Sequence, residues 1–192
     1  MILSYKPYLL AFKHPFGVSS NTRKETPSVF IKLEEGGRVG YGEACLPAYL
    51  GENVDDTIAF FEKVQSILKE LTTDKSIADI LALTDSLSNK NNAAKAAIDI
   101  ALNDLFGKMS GKPFYDMMNI GMSKAMNTSF TIGIDSEDKI AQKITEASDF
   151  SVLKIKAGTQ DDKTLIRLIR KYTDKPLYVD VNQGWTDKEY VL

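Results

Sequence analysis

The chain has 192 residues, of which 43% are hydrophobic and 26% charged, enough for a real core and room for two domains. Its formal net charge is −2 and its basic residues are scattered, so nothing points to nucleic acid or an anionic membrane surface. One cysteine, Cys45, excludes an internal disulfide and fits a reducing compartment.

The N-terminal residues lack the basic, apolar and small-residue segments of a signal peptide. No run approaches the ~20 apolar residues of a membrane span. A soluble, cytoplasmic protein is expected. Residues 2–12 read as a strand, broken by Pro15 and Gly17, with a polar loop over 21–25. Residues 28–33 form a second strand and 39–44 a third, joined by a tight turn at 34–38 whose glycines supply positive φ. This predicts an antiparallel meander, followed by a loop over 45–53.

Helices follow. Asp55 or Asp56 can cap one whose apolar positions Ile58, Phe61, Val64, Ile67, Leu68 and Leu71 fit a 3.6-residue period. A shorter helix covers 77–87. Asn91 or Asn92 opens an alanine-rich helix over 93–106, where Ala93, Ala97 and Ala101 allow close helix packing. Gly107 and Gly111 are expected to end it, and Pro113 prevents continuation.

From residue 127 the rhythm changes. Strands over 128–134, 152–156 and 177–181 alternate with helices over 136–148, capped by Asp135 or Ser136, and 161–172; another helix starts at Thr186. Such alternation with short connections predicts βαβ units and a parallel sheet.

Two strands carry polar groups where apolar ones are expected. Lys154 and Lys156 share one strand face, with Cβ atoms roughly 6–7 Å apart. As surface lysines they would be unremarked. Strands in βαβ units are normally covered, however, and two like charges so close can lower one amine's pKa and make it a base. Asp180 and Asn182 share a face in the same way. They read either as strand-end turn formers or as a site at the C-terminal end of a parallel strand. Thr128 and Thr131 are good strand formers whose hydroxyls can also meet a substrate. His14 and Cys45 read as structural, because no partner is visible. Gly36, Gly40 and Gly42 read as turn and packing glycines, since no phosphate-loop pattern occurs between a strand and a helix. Phe60, Phe61 and the methionines near 117–126 read as core.

Three segments together resemble a known family. Val39-Gly40-Tyr41-Gly42-Glu43-Ala44, the helix from Ala93 to Leu105, and Gly111-Lys112-Pro113-Phe114-Tyr115 are similar to the capping domain of the enolase superfamily. Lys154-Ile155-Lys156 resembles its K-x-K motif on the second barrel strand. Asp180-Val181-Asn182-Gln183-Gly184-Trp185 resembles its D-x-N-Q-G-W segment on the third. Within the muconate-lactonizing-like branch, the chain looks most like the dipeptide epimerases of the L-Ala-D/L-Glu epimerase group. The resemblance implies an α+β capping domain over 1–120 and the first three or so βα units of a (β/α)8 TIM-like barrel over 125–192.

It also implies a reaction: Mg2+-dependent epimerisation of a dipeptide by α-proton abstraction through an enediolate. Lys156 would be the base on one face of the substrate, and Lys154 would sit beside it near the substrate carboxylate. Asp180 would be the first Mg2+ ligand, and Thr131 would contact the dipeptide. Loops around 16–25 and 45–53 would close over the site. In acidic-dipeptide enzymes an arginine in the first loop meets the substrate glutamate. The corresponding position here is Asn21, with Arg23 and Lys24 close by. The same motifs also suit a cycloisomerase or o-succinylbenzoate synthase.

The stretch from 125 to 192 falls far short of the ~250 residues of a complete barrel. The remaining metal carboxylates and the opposite-face lysine are therefore expected outside this chain, which is expected to be truncated and inactive alone, or a non-catalytic product. The partners implied are a small-molecule dipeptide, no nucleic acid, no membrane, and a homo-oligomer in the full-length protein.

Overall fold

Two glycines on one strand govern how the first half of the molecule packs. The computed structural model describes residues 1–18, 21–71, 75–120, 126–182 and 184–185. Contacts divide the chain into two units, one of Met1–Ala11 with Glu25–Ser123 and one of Phe12–Lys24 with Lys124–Leu192. In the first unit, β1 (Ile2–Val18), β2 (Asn21–Glu35) and β3 (Arg38–Cys45) form a sheet in that order. β2 and β3 are antiparallel, pairing Ser28 with Cys45 and Glu35 with Arg38. Gly36 and Gly37 make the turn at φ 54° and 73°.

The strands are longer than expected. β1 runs through Pro15 and Gly17, and 21–25 is the start of β2 rather than a polar loop. β1 lies at the edge of the sheet, where a proline's missing N–H costs no ladder bond. For 21–25, strand pairing overrides the low β-propensity of a polar segment.

Helices α1 (Val54–Glu70), α2 (Ile77–Ser86), α3 (Asn92–Ser110) and α4 (Phe114–Met117) complete this unit. Asn53, not Asp55 or Asp56, caps α1: its side chain accepts the Asp56 N–H at 2.9 Å. The two aspartates occupy the first turn, where their charge suits the helix dipole. Ser76 and Asp79 cap α2 reciprocally. Asn91 stands at the start of α3, whose first amide groups at Asn92 and Ala93 donate to Glu52 at 2.6 and 2.9 Å. Only Gly111 ends this helix. Gly107 lies inside it and is buried, and a Cβ there would press on the Lys112 carbonyl.

Ala97 and Ala101 of α3 lie against a strand. A Cβ at Gly40 would collide with the Ala101 carbonyl, and one at Gly42 with the Ala97 carbonyl. Gly40 and Gly42 thus let β3 lie directly on α3. Around this contact Ile31, Leu33, Phe61, Ile98, Leu102 and Leu105 form the core.

In the second unit, β4 (Ser129–Ile132), α5 (Glu137–Glu146), β5 (Val152–Lys156), α6 (Asp162–Arg170) and β6 (Leu177–Asp180) alternate. The strands are parallel in the order β4-β5-β6. Ser136 holds the capping position of α5 without a side-chain bond, while Asp135 accepts the Ser136 N–H and pairs with buried Lys143 at 2.9 Å. The helix expected from Thr186 lies outside the described residues. An α+β half followed by a parallel three-stranded sheet matches the expected fold class. Among the described residues no helix is long and apolar enough to cross a membrane.

Candidate functional site

Alternation along the parallel strands sorts their side chains onto two faces. Ile132, Leu153 and Ile155 are buried with Ile140 and Ile144 of α5 and Ile169 of α6. The helices therefore cover that face. The opposite face carries Thr131, Lys154 and Tyr178 in one register row and Lys156 and Asp180 in the next. The polar residues thus collect on the side of the sheet that the helices leave uncovered, toward the C-terminal strand ends.

Lys156 is only 8% exposed. It donates to Asp180 Oδ2 at 2.8 Å and to Asn182 Oδ1 at 3.0 Å. Lys154 Nζ reaches the same Asp180 oxygen at 2.9 Å. The other oxygen, Oδ1, accepts the Asn182 backbone N–H at 3.0 Å. Asn182 sits at φ 46°, a left-handed conformation that asparagine tolerates better than most residues. One residue therefore supplies a turn, an amide donor to the carboxylate and a carbonyl acceptor for the lysine. The Lys156 ammonium, then the Lys154 ammonium and the Asn182 amide, hold the Asp180 carboxyl below the usual carboxylate range. The two lysines do not face each other as bare like charges, as the sequence reading had them; a shared carboxylate lies between them.

A second carboxylate braces the loops behind the site. Asp162, 2% exposed, accepts from Gly158 N at 2.8 Å, Thr159 N at 3.0 Å, Thr159 Oγ1 at 2.9 Å and Trp185 Nε1 at 2.6 Å. Burial pushes its pKa up, but the Thr159 and Gly158 amides, with Trp185 and the Thr159 hydroxyl, outweigh that and leave it low. Gly158, at φ 102°, has no room for a Cβ against the Val181 carbonyl. The loop after β5 is thereby fastened to the chain leaving β6. Sequence reading missed Asp162 and took Trp185 only as the end of the Asp180–Trp185 segment; the Thr159-x-x-Asp162 spacing just before a helix is the local signal that could have found Asp162.

The outer part of β1 also belongs to this unit. His14, read as partnerless, binds Glu146 Oε2 at 2.8 Å, and Lys13 joins the same oxygen at 2.9 Å. Lys13, then His14, hold the Glu146 carboxyl at about 2. No local pattern announces a pair 132 residues apart. Phe16 stands with its ring centroid 5.9 Å from Lys156 Nζ. Arg23, half-buried, lies over the Phe12 ring at 5.8 Å, and Lys24 is exposed. The side chain of Asn21 lies outside the described residues. Among the described residues no group of three acidic, histidine or cysteine side chains could hold a metal ion. Asp180 is a single hard oxygen donor at the strand end.

A mixed α+β unit followed by parallel βα units matches an N-terminal capping domain and the first part of a (β/α)8 barrel. Residues 8–119 match the family described as mandelate racemase / muconate lactonizing enzyme, N-terminal domain, and the chain belongs to that family, within the enolase superfamily. An L-Ala-D/L-Glu epimerase of Bacteroides thetaiotaomicron is 44% identical over 193 residues, covering 100% of this chain and 50% of that protein. An L-Ala-D/L-amino acid epimerase of Flavobacterium johnsoniae is 32% identical, covering 100% of this chain and 56% of its own length. The solved dipeptide epimerase of Enterococcus faecalis, complexed with Mg and the dipeptide L-Leu-L-Tyr, superposes with a TM-score of 0.82 at 31% identity, over 96% of this chain and 54% of that one. The chain spans about half the length of the curated relatives it matches.

Proposed function

We propose that this sequence forms the capping domain, over 1–120, and the first barrel strands, from 125, of a Mg2+-dependent dipeptide epimerase. The observation that carries this reading is the shared contact of Lys154 and Lys156 with Asp180 at strand ends, in a chain similar to dipeptide epimerases over its whole length. Asp180 suits Mg2+ in kind, as a carboxylate oxygen, and would be one of several donors. When bound, Mg2+ would supply charge stabilisation to the substrate carboxylate as the α-carbon loses its proton.

The chain's own residues divide the remaining work. Lys156, as the free amine, takes the α-proton from one face of the substrate and becomes the ammonium; the reverse transfer returns it. Lys154, more exposed at 36% of its side chain, lies where it can pair with the substrate carboxylate. Thr131, beside Lys154 in the sheet, offers a hydroxyl to the dipeptide.

The test is exchange of a dipeptide α-proton with solvent deuterium in the presence of Mg2+, followed by proton NMR on a complete barrel carrying this sequence. Exchange is expected, and Lys156→Ala should abolish it. An unchanged rate in that variant removes Lys156 as the base.

A further inference from the structure

The Phe16 ring lies within the range at which an aromatic face attracts the Lys156 ammonium. Two residues before it, His14 is held by Glu146, and Lys13 shares the same oxygen. Gln142 donates to the other oxygen at 3.0 Å. One carboxylate at the end of α5 thus gathers three partners, two of them from β1. Residues i and i+2 of a strand project to one side, so His14 and Phe16 point the same way. The His14 side chain is 16% exposed and that of Lys13 74%. The imidazole is therefore the inner contact, and an exposed Lys–Glu pair alone would hold little.

We propose that Glu146 is a positioning residue: by tying Lys13 and His14 to α5 it holds Phe16 over Lys156 and limits solvent access to that amine. Its bearing on catalysis rests on the reading of Lys156 as the base; the contact itself does not.

Limited acylation of the folded protein, read lysine by lysine by mass spectrometry, tests this. Lys108, in the other unit and 45% exposed, is the internal reference. Glu146→Gln is expected to raise the Lys156 rate relative to Lys108 by about two- to five-fold, the factor that losing one cation–π contact implies. Phe16→Leu should do the same. Glu146→Asp, which keeps the charge, should restore a rate near that of the parent. His14→Gln, a milder change, replaces Glu146→Gln if the latter fails to melt cooperatively. A raised rate in Phe16→Leu with no change in the Glu146 or His14 variants overturns the positioning role. No change in any variant overturns it together with the Phe16 shield. Acylation reads geometry and not turnover. A shielded Lys156 in a complete barrel that exchanges no α-proton would leave this proposal standing and defeat the epimerase reading.

Discussion

Lys156 on β5 donates to Asp180 on β6 at 2.8 Å, across a register pair of the parallel sheet. Lys154 uses the same oxygen, so the carboxylate serves two cations, and among the described residues each lysine meets no other carboxylate. Asp180→Asn should therefore cost more than the loss of either lysine. About 1–2 kcal/mol is expected, because a charge-assisted bond to a buried ammonium is lost while solvent screens the exposed part. Lys154→Met should cost less than about 1 kcal/mol, as for an exposed ion pair. Urea unfolding of the three proteins checks the order. Equal losses would contradict a shared carboxylate.

Gly42→Ala tests the contact between β3 and α3. The added methyl meets the Ala97 carbonyl, a backbone atom that cannot swing aside. Overpacking of this kind costs about 1–3 kcal/mol, and the top of that range is expected. Gly51→Ala is a useful contrast, because a Cβ there meets nothing within 4 Å. Its cost comes only from φ 67°. Denaturation midpoints should separate the two variants, with Gly42→Ala the less stable.

Local signals in the sequence located most elements. Val152–Lys156 is alternating enough to fix its own bounds, and the 3.6-residue period of α1 is plain. Most of what failed was decided by packing and pairing that local propensity does not carry. The 21–25 segment is polar by composition and becomes strand by pairing. Gly107 looks like a helix terminator and is instead a packing residue under Lys112. The same division holds for the candidate site. Lys154 and Lys156 were legible because strand periodicity puts them on one face; Asp180 and Asn182 were legible as strand-end polar residues, but Asn182 lies beyond β6 at φ 46° and reaches Lys156 through a turn, not through strand alternation. Their shared hydrogen bonds were not, since these depend on the register between β5 and β6. The His14–Glu146 contact joins two segments that no sequence window contains together.

The Glu146 carboxyl gives a pH dependence with a definite sign. Its pKa falls from 4.5 to about 2 in the folded protein. A depressed carboxyl contributes stability above its unfolded value and loses it as pH falls through the folded one. The contribution is therefore full above about pH 4.5 and gone below about pH 2. Thermal midpoints of the parent and Glu146→Gln should lie furthest apart near neutrality and converge across that window. A gap that stays constant down to pH 2 would show that the Lys13 and His14 contacts do not hold the carboxylate.

Trp185 is the only tryptophan in the chain, and its indole N–H donates to Asp162 at 2.6 Å. Its fluorescence therefore reports on the loop that Asp162 braces. Asp162→Asn keeps the size but turns an NH2 group toward donors that need an acceptor. At least one of the Gly158, Thr159 and Trp185 donors is then left unpaired. An unsatisfied buried donor costs about 1–3 kcal/mol, and Asp162→Ala, which removes this acceptor from all of them, should cost more. In both variants the Trp185 emission should shift to the red as water replaces the carboxylate. This shift should appear at denaturant concentrations too low to unfold the sheet, because the hydrogen bonds lost lie in the loops and not between the strands. An unshifted emission in Asp162→Ala would mean that the loop after β5 is not fastened through this carboxylate.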